Sequence, residues 1–187
     1  MKANPAAPIL EKLVALGSRF DAASIVEVER CIAAGAEAKN ISYGNTIKKL
    51  SDIATAYSRG IRLFAFDSEE DLKKLEVAAP GARVFCRVLV TNTGALWPLS
   101  EKFGCSAEMA CELLVKANRC GLEPCGVSFH VGSQQTNVRQ WKSAVERMAL
   151  IFKELQSNGV RLKLLNLGGG FPVRYLRDVP NVEDLAF

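Results

Sequence analysis

The only histidine in the chain, His130, closes the apolar run Gly126–Val131 just before Gly132 and Ser133. An imidazole there can act as acid, base or metal ligand, or lay its flat face on a ring. The bland alternative is a hydrogen-bonded core histidine, and the small polar loop that follows weighs against it. Gly168-Gly169-Gly170-Phe171-Pro172 follows a second apolar run. Consecutive glycines let backbone N–H groups approach an anion closely, although a tight turn after a strand needs the same residues. Lys2 precedes Ala3-Asn4-Pro5 and a helical stretch, Ala6–Leu16. A terminal lysine is ordinarily solvated. At the end of a first strand, in an apolar site that lowers its pKa, its amine is the ingredient for Schiff-base chemistry.

These residues need a common frame, and the spacing of apolar runs supplies one. Phe20–Ser24, Ile41–Gly44, Leu63–Asp67 and Val84–Leu89 start 21, 22 and 21 residues apart. The next run, Gly126–Val131, begins after a gap of 42 that holds a loop-like insertion, Thr91–Gly104, and the last is Leu162–Gly168. Helical periodicity fills the intervals: Trp141, Val145, Met148, Phe152 and Leu155 share one face, as do Ala110, Leu113, Leu114 and Ala117. Ser68 ahead of Glu69, Glu70 and Asp71 reads as an N-cap with acids in the first turn. Gly35, Gly60, Gly121 and Gly159 stand where helices should stop. Strand and helix alternating in this rhythm give a parallel sheet, closed or open, and the near-uniform repeat favours a barrel over a doubly wound sheet. In a barrel, chemistry gathers at the C-terminal strand ends. Those ends hold Asp21, Asn45, Asp67, Arg87, His130, Ser133 and the glycine triplet.

Composition narrows the classes. The 187 residues are 49% hydrophobic and 24% charged, so the chain can bury a core and is not disordered. Its net charge of +4 comes from scattered lysines and arginines, without the basic patch of a nucleic-acid binder. No apolar run approaches the ~20 residues that span a bilayer, and the N-terminus lacks a signal peptide's apolar segment. Six cysteines without a CxxC pair, beside one histidine, predict no metal site and reduced thiols in a cytoplasmic protein.

Seven motifs then occur in order: Lys-Ala-Asn-Pro (2–5), Phe-Asp-Ala-Ala-Ser-x-x-Glu (20–27), Tyr-Gly-Asn-Thr-x-Lys (43–48), Phe-Asp-Ser-Glu (66–69), Leu-Ser-x-Lys-Phe-Gly (99–104), Val-Ser-Phe-His-Val-Gly-Ser-Gln (127–134) and Asn-Leu-Gly-Gly-Gly-Phe-Pro (166–172). Together they resemble the pyridoxal-phosphate-dependent ornithine, lysine and diaminopimelate decarboxylases of the alanine-racemase-like fold. Phe-Asp-Ala-Ala-Ser and Trp-Pro-Leu-Ser-Glu-Lys-Phe-Gly (97–104) look closer to the bacterial ornithine/lysine type, whereas Gly-Ser-Gln and Asn166 occur also on the diaminopimelate side. The resemblance implies an incomplete (β/α)8 barrel of about seven βα units over residues 1–187, with pyridoxal 5'-phosphate as cofactor. It implies that Lys2 carries the cofactor covalently and that His130 stacks on its ring, these two being the catalytic pair. Ser133, Gly168, Gly169 and Gly170 would hold the phosphate, and Asp21 and Arg87 would lie beside or beneath the cofactor. Glu27 matches a further acidic position, and Lys102 a lysine that reaches the partner subunit of a homodimer.

The family pattern also extends beyond this sequence. Residues ahead of the lysine, an eighth strand carrying Glu-Pro-Gly-Arg and a C-terminal β domain find no match in the chain. The expectation is a fragment, inactive alone, of an enzyme that decarboxylates ornithine or lysine to a diamine. Its missing strand should expose an edge and favour self-association. Two other readings stand beside it: a non-catalytic cofactor-binding or regulatory protein of the same fold, and an unrelated phosphate-binding barrel in which Lys2 is incidental.

Overall fold

A computed structural model describes residues 1–2, 4–97, 102–176, 178–180 and 183. Ala3 and half of the 97–104 motif (98–101) therefore lie outside the described residues. The apolar runs become strands β1 (Phe20–Ala22), β2 (Ile41–Tyr43), β3 (Leu63–Phe66) and β4 (Arg83–Arg87). A short β5 (Ala95–Trp97) follows, then β6 (Glu123–Ser128), β7 (Ser133–Gln135) and β8 (Leu164–Asn166). The helices are α1 (Ala7–Ala15), α2 (Ile25–Ala33), α3 (Leu50–Ser58), α4 (Glu69–Ala78), α5 (Ala107–Arg119) and α6 (Arg139–Ser157).

Helix starts follow local chemistry. The hydroxyls of Ser24, Ser68 and Ser106 accept hydrogen bonds from the amides of Glu27, Asp71 and Met109 at 3.1–3.2 Å, satisfying first-turn donors that have no partner inside the helix. The helix-ending glycines Gly35, Gly60, Gly121 and Gly159 all take positive φ, between 78° and 93°.

β1, β2, β3, β4, β6 and β8 form one parallel sheet, each later strand paired with the one before it in that series. This monotonic order decides between the two parallel architectures, because a doubly wound sheet reverses direction at a switch point and this one does not. The sheet is an incomplete barrel. It has six parallel strands among the described residues rather than strands from about seven units, because Met1 and Lys2 form no strand. Phe64, Phe66, Val84, Cys86 and Val127 of the strands share one apolar core with Val28, Ile53, Leu72, Leu114 and Met148 of the helices.

The insertion after β4 is more ordered than a loop. β5 pairs antiparallel with β7, Trp97 opposite Ser133 and Ala95 opposite Gln135. Cys105 bridges Val88, extending β4 by one further contact.

Candidate active site

The predicted residues gather at the C-terminal rim of the sheet. β1 carries Asp21, whose carboxylate accepts a 2.6 Å hydrogen bond from the Ser42 hydroxyl on β2. Gly44 makes room for it, since a Cβ there would overlap that carboxylate. Burial pushes the Asp21 carboxyl up from its ordinary value, opposed by the Ser42 hydrogen bond and the Lys2 ammonium. Lys2 is exposed, not held in an apolar site as the sequence suggested. With no strand enclosing it, its electrostatic partners are charged and polar groups of the rim, Asp21 and His130.

Arg87 ends β4. Its guanidinium lies 5.1 Å from the Phe103 ring centroid. Burial lowers its pKa, against the fields of Asp67 and Asp21. Asp67, at the end of β3, accepts a 2.7 Å hydrogen bond from the Gly104 amide and so ties the inserted segment to the rim. It belongs with the site, and its place directly after an apolar strand was the available signal. Glu27 has a local task instead. Its carboxylate accepts from the Ala23 amide at 2.7 Å while Ser24 accepts from the Glu27 amide, a reciprocal cap legible as Ser-x-x-Glu. Lys102 lies 5.9 Å from the Phe103 ring centroid.

His130 stands two residues beyond the end of β6, not on the strand itself. Its Nδ1 accepts a 3.3 Å hydrogen bond from the Gly169 amide, which puts the proton of the neutral ring on Nε2. Burial lowers its pKa, aided by the Arg87 and Lys2 charges, and the ring is neutral at pH 7. The glycine triplet folds against this loop. Gly168 and Gly170 have φ of +68° and +96°, and a Cβ on either would overlap a backbone oxygen, that of Phe129 or Gly132. A Cβ on Gly169 would stand 3.8 Å from His130 Cε1. The amides are not three free donors: Gly168 donates to Asn166 Oδ1 at 2.9 Å, and Gly169 makes the longer bond to His130. Ser133 opens β7 beside this turn, and the Gln135 amide donates to the Gly170 carbonyl at 2.8 Å.

An amine, a neutral imidazole, an arginine, a paired carboxylate and a side-chain-free turn thus surround one rim. The donor set suits a flat anionic ligand with an electrophilic carbon. Residues 1–186 match the family model of the pyridoxal-dependent decarboxylases, pyridoxal binding domain. The chain belongs to this family. It is 39% identical over 173 residues to the lysine/ornithine decarboxylase of Selenomonas ruminantium, covering 92% of this chain and 44% of that protein. It is 33% identical to antizyme inhibitor 2 of Xenopus laevis, covering 92% of this chain and 38% of that one. Among solved structures, SrLDC in complex with PLP and cadaverine aligns with a TM-score of 0.91 at 35% identity, over 99% of this chain and 47% of that one. The chain spans less than half the length of the relatives it matches. Membership makes the fold an incomplete alanine-racemase-like barrel and the cofactor pyridoxal phosphate, and it removes the unrelated-barrel reading.

Proposed function

We propose that this chain is the cofactor-holding barrel portion of a cytoplasmic, homodimeric enzyme that decarboxylates lysine or ornithine. The observation that carries the reading is the meeting of Lys2, Asp21, Arg87, His130 and the glycine turn on one rim, in a chain of the pyridoxal-binding family. When bound, pyridoxal phosphate supplies an electron-withdrawing ring that makes loss of a carboxylate as carbon dioxide feasible. Lys2 offers the amine for covalent attachment, and the Asp21 carboxylate attracts its ammonium electrostatically. His130 presents a neutral flat face, oriented through Nδ1 by Gly169. Ser133 and the amides of Gly169 and Gly170 would grip the phosphate, the long Gly169–His130 bond being readily exchanged for a stronger one to an anion. Arg87 adds a fixed positive charge to the rim. Six free cysteines suit a reducing compartment.

The test is titration with pyridoxal phosphate followed by visible absorbance. A new band that Lys2→Ala abolishes is the expected result, and absence of any band in the unaltered protein overturns the reading. Likeness to a protein named as an antizyme inhibitor favours a second reading, cofactor holding without turnover. Carbon dioxide release from L-lysine or L-ornithine separates the two.

A further inference from the structure

Gln134 is the only non-glycine residue with positive φ among those described, at +52°. This left-handed region is one that a long side chain rarely adopts, so something must hold it there. Its side-chain amide makes a two-point pairing with the backbone of Val173: Nε2 donates to the Val173 carbonyl at 3.0 Å, and the Val173 amide donates to Oε1 at 2.7 Å. The side chain thus acts as a surrogate strand partner. It joins β7 to the segment that leaves the glycine turn. Its neighbour completes the joint. The Gln135 amide donates to the Gly170 carbonyl, and the fully buried Gln135 side chain donates to the Val131 carbonyl and accepts from the Asn137 amide. Ser133 at the start of β7 and the Gly168–Gly170 turn are therefore tied together through the side chain and backbone of the two residues that follow Ser133.

We infer that Gln134 is a positioning residue for the phosphate end of the cofactor, holding Ser133 and the glycine turn in one cradle. The inference rests on the proposed cofactor site and adds to it. A clamp of this kind acts on the phosphate and leaves recognition of the pyridine ring to His130 and Lys2.

Gln134→Gly and Gln134→Asn separate the clamp from backbone strain. Both accept positive φ more readily than glutamine, and neither has a side chain long enough to reach Val173. Binding of pyridoxal phosphate and of pyridoxal, which lacks the phosphate, is measured for each variant by absorbance or fluorescence titration. Losing two hydrogen bonds should weaken pyridoxal phosphate by about tenfold while leaving pyridoxal unchanged. Exchange of the Val173 amide should accelerate in both variants. Equal weakening of the two compounds, or no weakening of either, overturns the clamp. Unaltered protein that binds neither compound overturns the cofactor site itself, and the clamp with it.

Discussion

At the rim, single atoms decide what a substitution does. Gly168→Ala and Gly170→Ala each force a methyl into a backbone oxygen at a positive φ. We expect each to destabilise the protein by about 1–3 kcal/mol. Gly169→Ala meets only the edge of His130 at 3.8 Å and should stay within about 0.5 kcal/mol of the parent. Urea unfolding of the three variants checks the contrast. His130 adds a pH signature. Its folded pKa is below the ordinary value of 6.5, so above that value both folded and unfolded states carry neutral imidazole and His130 contributes no pH dependence. As pH falls through 6.5 the unfolded chain takes up the proton first, and stability declines. Thermal midpoints between pH 7.5 and pH 5.5 should fall, and fall less in His130→Asn. Much of this rim was readable from residue types, because a lone histidine, a glycine triplet and an arginine at strand ends have few structural uses. Gln134 was not. Its conformation and its pairing with Val173, 39 residues away, leave no local trace.

At the level of elements, one buried ion pair joins the β2–α3 connection to β3 and α4. The Lys48 ammonium, fully buried, binds Asp71 and the carbonyls of Asn45 and Ala65. Lys74 holds the other Asp71 oxygen at 2.8 Å. Burial lowers the Lys48 pKa against the pull of Asp71. Removing the Lys48 ammonium leaves Asp71 to the partly exposed Lys74 alone and takes a donor from two carbonyls, so Lys48→Met should cost about 3 kcal/mol in denaturant unfolding. The double variant Lys48→Met/Asp71→Leu should recover part of that loss. The repeating elements were legible: β1, β2 and β3 begin where the evenly spaced apolar runs begin, and α6 contains the whole predicted face. β5 and β7 were not, being partly polar, outside that spacing and paired across 36–40 positions. Length does not separate them from β1 and β2; what they lack is an apolar run to mark them. The Lys48–Asp71 pair was hidden for a different reason, since a lysine in a polar stretch reads as solvated until the fold encloses it.

For the molecule as a whole, the outer edges of β1 and β8 have no strand partner among the described residues. Leu165 and Leu167, at β8, are 36% and 39% exposed. Unpaired parallel edges beside apolar side chains template association. Sedimentation velocity should show a weight-average coefficient that rises with concentration, and Leu165→Lys should suppress the rise. A concentration-independent monomer would rule this association out.

The unbroken order of the sheet bears also on how the chain is made. After β1, every strand of the sheet pairs with the sheet strand synthesised before it, across intervals close to 21 residues for the first four. At a translation rate of about 5–20 residues per second, each such βα unit leaves the ribosome in roughly 1–4 s. Pairing can therefore keep pace with synthesis, each new strand docking on an edge already in place. The edge that invites association in this chain is, during its making, the template for the next addition.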